Sequence, residues 1–180
     1  YADITRQMLK QSSLGIEALV RADLAAGLAL EIDRAGFYGL GTANVPRGIK
    51  NQVGVLQFDE PHFPLLVVGI NELEVDFKSI VNAGMRGYLK TALAAPSAGA
   101  TRLWNEGVVN GYNVEVTNQV VTGDIFFGNW ADFLIGTWGS LDINVDTSVL
   151  ALQGALRVVF FQDVDFAVRR PESFSYFKNV

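Results

Sequence analysis

The first strong pattern along the chain is a stripe of apolar side chains at helical spacing over residues 14–37. The members that recur every four positions are Ile16, Val20, Leu24, Leu28 and Ile32, and Leu19 and Ala35 widen the stripe. Ser12 or Ser13 can cap the start, and Gly36, Gly39 and Gly41 mark the end. At about 1.5 Å per residue the pattern predicts a helix of about 36 Å with one buried face.

The middle of the chain predicts short elements between irregular connections. Residues 39–50 are rich in Gly, Asn and Pro, which predicts a loop, and residues 52–70 are apolar but broken by Pro61 and Pro64. We expect only short strands or connections there. Residues 78–81 are β-prone, and residues 83–93 have helical spacing.

The second half of the chain predicts strands. The strand-like runs are residues 112–121, 124–127, 133–137, 141–145 and 155–169. Because helix dominates the first half and strand the second, the pattern predicts an α+β chain rather than alternating α/β units.

Composition narrows the function classes. The chain is 49% apolar and only 18% charged, so it is expected to fold. Its longest apolar run, residues 63–70, is too short for a membrane helix and is interrupted by Pro64 and Gly69. Without cysteine, the sequence offers no disulfide or thiolate metal site, so stability must come from packing and assembly. The net charge of -5 opposes tight non-specific binding to nucleic acid.

Candidate catalytic groups are few. His62 is the single histidine, so one chain cannot build a Ser-His-Asp triad or a multi-histidine metal site. Asp163 and Asp165 share one face of a predicted strand, a spacing that suits acid–base chemistry or a hard cation. Solvated or salt-bridged charges near Arg169 and Arg170 are the favoured interpretation.

Two further patterns favour structure over ligand binding. Gly39, Gly41 and Gly48 follow a helix, whereas a phosphate-binding glycine loop precedes one, so a turn is favoured. Trp130 and Trp138 could line a pocket, but aromatic residues at this density in strands usually form core. No residue is therefore assigned to catalysis, a cofactor or a metal.

Specific sequence blocks then carry a family resemblance. In the second half they are GYNVEVTNQV at 111–120, IFFGNWADFLIGTWG at 125–139 and FQDVDFAVRRPESF at 161–174. Upstream they are TRQMLKQSS at 5–13, RADLA at 21–25, Ile32-Asp33 leading to GLGT at 39–42, and PRGI at 46–49. In order and spacing these blocks resemble the tailed-phage major capsid family, whose shell fold is named after phage Hong Kong 97.

The resemblance implies a Hong Kong 97-like capsid fold with a long spine helix, a peripheral lobe and a β-rich axial lobe. Residues 1–50 would form the peripheral lobe with the spine helix, residues 51–150 mainly the axial lobe, and residues 151–180 the closing strand of the peripheral lobe. The subunit-interface residues that it implies are Val121, Thr122, Gly123, Asp124, Asn105, Glu106, Arg169 and Arg170.

The implied function is structural and non-enzymatic. The partners would be further copies of the chain in pentamers and hexamers, together with portal and head-assembly proteins. The shell would enclose DNA without binding it specifically, and no membrane, cofactor or metal is implied. The protein would be made in the host bacterial cytoplasm and reside in the virion.

Three departures from the family pattern stand out. The flexible arm, the scaffold-like leader and most of the extended hairpin loop would lie before Tyr1, so a processed or partial chain is expected. Residues 54–76 are shorter than the family pattern. No lysine matches the cross-linking position of some members, so no cross-link is expected.

Two alternatives stay open. One is the shell protein of an encapsulin-like nanocompartment, although the TNQ block at 117–119 and the RPESF block at 170–174 favour a phage. The other is a small hydrolase or ligand-binding protein that uses Asp163 and Asp165 beside the tryptophan cluster.

Overall fold

The computed structural model describes residues 1–5, 7, 16–58, 77–93, 102–109 and 111–178. Within these ranges there are two longer helices, α1 (Ile16–Tyr38) and α2 (Ala83–Thr91). The strands are β1 (Ala2–Thr5), β2 (Leu56–Phe58), β3 (Phe77–Val81), β4 (Trp104–Asn105), β5 (Val108–Val109), β6 (Tyr112–Val116), β7 (Ile125–Asn129), β8 (Phe133–Asp146), β9 (Ala155–Val168) and β10 (Phe174–Phe177).

Helix α1 confirms the long helix that the apolar stripe predicts. Val20, Leu24, Leu28 and Ile32 are half-buried along one face, as their spacing requires. Leu19 is 60% exposed, so the prediction that it widens the buried stripe is wrong: its flank of the helix faces solvent in the single chain. The predicted caps Ser12 and Ser13 lie outside the described residues.

The chain divides into two compact units. Unit 1 comprises residues 1–33 and 136–165, and unit 2 comprises residues 34–135 and 166–180. The prediction of a peripheral lobe at 1–50, an axial lobe at 51–150 and a closing strand at 151–180 stays a prediction.

Unit 1 contains a three-stranded sheet in the order β1-β9-β8. Strand β1 pairs antiparallel with the start of β9, from Ala2 opposite Val158 to Thr5 opposite Ala155. Asp3 and Arg157 lie opposite each other, and the Arg157 Nε and Nη2 atoms donate to the two Asp3 carboxylate oxygens over 2.7 and 2.9 Å. This bidentate pair adds a specific side-chain contact to the register that the strand pairing sets.

Strand β8 differs from its prediction. The sequence predicts two strands, at 133–137 and 141–145, but the structure has one strand of 14 residues. Gly136, Gly139 and Ser140 resemble a turn in sequence, yet only Gly139 adopts a positive φ, of 72°. The pairing with β9 carries the strand through these weak positions.

Unit 2 is built on a seven-stranded mixed sheet in the order β2-β10-β7-β3-β6-β5-β4. Every residue of β7 is buried, because both faces of this strand carry a core. Phe126 joins a cluster with Ile49, Val55, Val120, Phe174 and Tyr176, whereas the adjacent Ile125 joins one with Val81, Leu89, Val109, Val114 and Phe177. The two-residue period of a strand separates the two clusters.

Gly128 allows β7 and β10 to pack closely. A Cβ atom at this position would lie 2.3 Å from the Phe174 ring, which is closer than two non-bonded carbon atoms can approach. Gly128 and Phe174 are paired across the antiparallel strands. The glycine therefore leaves the space that the aromatic ring fills.

Other boundaries refine the predictions. Helix α2 confirms the helix predicted at 83–93, and the side chain of Asn82 caps it by accepting from the Gly84 N–H over 2.8 Å. The strand predicted over 112–121 ends at Val116. The Thr117 hydroxyl accepts from the Gln119 N–H, so a turn replaces the last residues of that strand. Of the apolar stretch 52–70, residues 59–70 lie outside the described chain.

Candidate assembly surfaces

The first predicted interface residues lie at a hairpin tip in unit 2. Trp104 pairs with Val109 and Asn105 pairs with Val108, which leaves Glu106 and Gly107 as a two-residue loop. Both loop residues have positive φ angles, 49° and 91°, as a type I′ turn requires. Asn105 and Glu106 are exposed at this tip.

The second group forms the turn at 121–124. The Asp124 N–H donates to the Val121 carbonyl over 3.0 Å, and Gly123 supplies a positive φ of 99°. Val121 and Thr122 are exposed, whereas Gly123 and Asp124 are buried. The turn therefore presents two side chains outward and holds the other two residues inside.

Asn82 fixes this turn from one side. Its Nδ2 donates to the Val120 carbonyl over 2.7 Å, and its Oδ1 accepts from the Thr122 hydroxyl over 3.3 Å. The same Oδ1 caps α2. One side chain thus connects the start of a helix to the turn before β7.

Asp124 fixes the turn from within. Its side chain is only 5% exposed, and its Oδ2 accepts from the hydroxyls of Tyr38 and Tyr176, each over 2.8 Å. The Tyr38 oxygen also accepts from the Val121 N–H over 3.0 Å. Burial of the phenol, together with the neighbouring carboxylate, raises the pKa of Tyr38, so its hydroxyl stays a neutral donor at ordinary pH.

Lys50 adds a charge to the same cluster. Its Nζ lies 5.4 Å from the centre of the Tyr38 ring and 5.2 Å from that of Tyr176. At this distance an ammonium group interacts favourably with an aromatic face. We call Tyr38, Lys50, Asp124 and Tyr176 the tyrosine–aspartate cluster; it joins the end of α1, the 121–124 turn and β10.

Arg169 and Arg170 lie at the corner between β9 and β10, and both are exposed. The Arg169 N–H donates to the Asp132 carbonyl over 2.8 Å, and the Arg170 carbonyl accepts from the Ser173 hydroxyl over 2.7 Å. The backbone of the corner is therefore held in place beneath two exposed basic side chains. The interface role of all eight predicted residues stays a prediction, and Asp124 already has internal partners.

The candidate chemical groups do not converge within the described residues. Asp163 and Asp165 are exposed on β9, and His62 lies outside the described chain. Trp130 is part of the core: its Nε1 donates to the Lys78 carbonyl over 2.9 Å and its ring packs on Phe174. Trp138 is 59% exposed, so the prediction of core is wrong for it.

The glycines after α1 form the predicted turn. The Gly39 N–H donates to the Ala35 carbonyl and the Gly48 N–H to the Gly39 carbonyl, over 2.8 and 2.9 Å. Among the described residues no group of three His, Cys, Asp or Glu side chains could hold a metal ion. Nor does a helix in those ranges combine the length and apolarity needed to cross a bilayer.

Sequence reasoning missed the side chains that hold the 121–124 turn. The position of Asn82 just before a predicted helix is a cap signal that could have identified it. Tyr38 and Tyr176 are far from Asp124 in sequence, and only the folded sheet brings their hydroxyls to one carboxylate. No local sequence pattern predicts that these two hydroxyls donate to the same carboxylate.

Comparison with known proteins now identifies the family. The model of the phage capsid family matches residues 1–179. The chain belongs to the phage capsid family. This family member is 36% identical over 181 residues to the major capsid protein of Halomonas phage phiHAP-1, an alignment that covers 96% of the chain and 30% of that protein. The chain thus spans less than a third of the length of that relative.

Solved structures with a similar fold align with nearly the whole of this chain. The capsid of an empty GTA particle matches with a TM-score of 0.76 at 15% identity, over 99% of this chain and 71% of the other. The structure from Microbacterium phage Oxtober96 matches with a TM-score of 0.70 at 14% identity, over 99% and 70%. The predicted α+β class and Hong Kong 97-like capsid fold are confirmed.

Proposed function

We propose that this chain is the shell-forming part of a major capsid protein, which self-assembles into the icosahedral head shell of a tailed phage or prophage. The observation that carries the proposal is the 36% identity to the major capsid protein of phage phiHAP-1 over 96% of the chain. The match of the fold to the GTA capsid supports it independently of sequence.

The finer parts of the proposal concern partners and place. Copies of the chain form pentamers and hexamers, portal and head-assembly proteins join the shell, and the enclosed DNA is not bound specifically. The protein is made in the host bacterial cytoplasm and ends in the virion. It acts as a structural subunit and not as an enzyme.

The physical mechanism is repeated burial of subunit surface. Each contact contributes only about a few kcal/mol, but a closed symmetric shell repeats it many times. Weak single contacts let a misplaced subunit dissociate before the shell closes. We infer that Val121 and Thr122 make such contacts; they are the exposed side chains of a turn held by the tyrosine–aspartate cluster and Asn82.

Electron microscopy of the purified protein, at the full length its gene encodes, tests the proposal. We expect negative-stain images to contain closed particles or rings, and light scattering to show assembly that increases with concentration. A protein that stays monomeric at high concentration would contradict the proposal. Particles that hold a cargo enzyme instead of DNA would favour the nanocompartment shell.

Mutation of the candidate acids tests the enzymatic alternative. A hydrolase that uses Asp163 and Asp165 would lose a measurable activity in Asp163→Ala while its assembly stayed intact. We expect the assembled protein to show no activity that depends on Asp163.

A further inference from the structure

The Tyr38 hydroxyl is bonded to both ends of the 121–124 turn. It accepts from the Val121 N–H over 3.0 Å at the start of the turn and donates to Asp124 Oδ2 over 2.8 Å at its end. The turn's own hydrogen bond, from the Asp124 N–H to the Val121 carbonyl over 3.0 Å, joins the same two residues. A single side-chain oxygen, 83 residues away from Val121 along the chain, therefore holds the turn at both of its ends.

The chemistry of the two side chains sets the direction of these bonds. A carboxylate oxygen only accepts, so the one hydroxyl proton of Tyr38 goes to Asp124 and the oxygen lone pairs are left for the Val121 N–H. Donation to a carboxylate also polarises the hydroxyl, which makes its oxygen a better acceptor. Asp124 therefore strengthens the bond that Tyr38 makes to the backbone of the turn.

Tyr38 is itself held at its backbone and at its ring. It is the last residue of α1, and the Asn51 Nδ2 donates to the carbonyls of Tyr38 and Gly39 over 3.1 and 2.8 Å. The Tyr38 ring meets the ring of the buried Phe126 edge-on, with 5.5 Å between the ring centres. These contacts restrict the rotamer of Tyr38, so its hydroxyl provides a fixed point for the turn.

Tyr176 provides a comparison within the same cluster. Its hydroxyl donates to the same Asp124 oxygen over the same distance, 2.8 Å. The Val121 N–H has a single proton, however, and that proton is directed at Tyr38. Removing the Tyr176 hydroxyl therefore takes one bond from the carboxylate and leaves the bond to the turn in place. Removing the Tyr38 hydroxyl takes away both kinds of bond.

We propose that Tyr38 is a positioning residue for assembly: its hydroxyl fixes the backbone of Val121, so that the Val121 and Thr122 side chains meet a neighbouring copy of the chain in one conformation. The inference rests on the proposed shell function and deepens it, because it names the group that orders the contact turn before assembly. The bond from the Val121 N–H is exposed, so water replaces the hydroxyl in Tyr38→Phe and the turn loosens. A subunit with a loosened turn must spend binding energy on ordering it.

Amide hydrogen exchange of the unassembled full-length protein tests the ordering of the turn. We expect the Val121 amide to exchange about three- to tenfold faster in Tyr38→Phe than in the unsubstituted protein, which is the factor that one hydrogen bond contributes. In Tyr176→Phe we expect its exchange to change by less than about twofold, because the Val121 bond remains. The amides of β7, which lies between β10 and β3, report global unfolding and correct each value for any loss of overall stability.

The threshold concentration for particle formation tests the link to assembly. We expect it to rise about threefold or more in Tyr38→Phe, since the apparent affinity of a contact falls with the fraction of subunits whose turn is ordered. Tyr176→Phe is the matched control, and we expect its threshold to stay within about twofold of that of the unsubstituted protein. Both variants lose a hydroxyl from the same carboxylate, so a difference between them reports the bond to Val121.

Each other outcome has a definite meaning. Equal effects of the two variants on exchange and on assembly would show that both hydroxyls act through stability alone, which overturns the inference. Normal assembly of Tyr38→Phe despite faster exchange would overturn it as well. Val121→Asp is a second variant, at a side chain that is 58% exposed, and we expect it to block particle formation by placing a charge in the contact. Full assembly of Val121→Asp would overturn the inference and leave the shell function intact, whereas failure of the unsubstituted protein to assemble would contradict the shell function itself.

Discussion

Replacing Tyr176 with phenylalanine removes one hydrogen bond to a buried carboxylate. The Tyr176 hydroxyl donates to Asp124 Oδ2 over 2.8 Å, and both residues are buried. A hydrogen bond to a charged group contributes about 1.5–3 kcal/mol, more than one between neutral groups. Because phenylalanine keeps the ring and its packing, we expect Tyr176→Phe to lower the free energy of unfolding by about 2 kcal/mol.

Urea denaturation of the unassembled subunit measures this change. The midpoint should fall while the slope of free energy against urea concentration stays the same. Tyr88→Phe is the matched control, because it removes the same hydroxyl from an exposed tyrosine on α2, and we expect a change within about 0.5 kcal/mol. If Tyr176→Phe changes stability no more than the control does, the carboxylate does not hold this hydroxyl and the reasoning is refuted.

The shared acceptor atom adds a second expectation. Tyr38 and Tyr176 donate to the same Asp124 oxygen, so their contributions should not be independent. We expect the double change Tyr38→Phe with Tyr176→Phe to differ from the sum of the single changes by about 0.5 kcal/mol or more. Strict additivity would indicate that the two hydroxyls stabilise separate groups.

Three further predictions follow from the packing and the charges. Gly128→Ala should lower the free energy of unfolding by about 1–3 kcal/mol, because its methyl group meets the Phe174 ring. Gly87→Ala, on an open surface of the helix, should not lower it, and the melting temperatures of the two variants test the difference. The pKa of Tyr38 is raised in the folded chain, so the folded chain keeps a proton that the unfolded chain releases near pH 10. The free energy of unfolding should therefore decline above about pH 10, and it should decline less steeply in Tyr38→Phe. Hydrogen bonding to Arg157 lowers the pKa of Asp3, so the attachment of β1 should persist at neutral pH and weaken as the pH falls below about 3.9; amide exchange of β1 should show this, and Arg157→Gln should remove the dependence.

The spacing of apolar residues predicted the elements whose apolar side chains form one clear face or one long run. Helix α1 follows from apolar residues at every fourth position, and β9 follows from a long β-prone run. The split of β8 failed because Gly136, Gly139 and Ser140 look like a break, whereas sheet pairing overrides weak local propensity. Local patterns predict what a segment prefers alone, and they do not include the neighbour that stabilises it.

The candidate surfaces were less predictable than the fold. The family resemblance includes Val121 to Asp124 among the interface residues, but nothing in these residues shows that Asp124 points inward. That orientation depends on two tyrosines from distant segments.

The hydrogen bonds around the 121–124 turn of unit 2 bear on the proposed shell assembly. A contact weakened by about 1.4 kcal/mol loses a factor of about ten in its equilibrium constant, and a shell repeats that loss at every copy of the contact. If Val121 and Thr122 make subunit contacts, as proposed, their turn must hold its conformation closely for these contacts to stay equivalent around a ring. Asn82 and Asp124 both hold the turn by hydrogen bonds; the bond from Tyr176 to Asp124 is buried, whereas the bond from Thr122 to Asn82 is exposed. If this turn makes the proposed subunit contacts, those contacts can remain individually weak, because no binding energy has to be spent on ordering the turn.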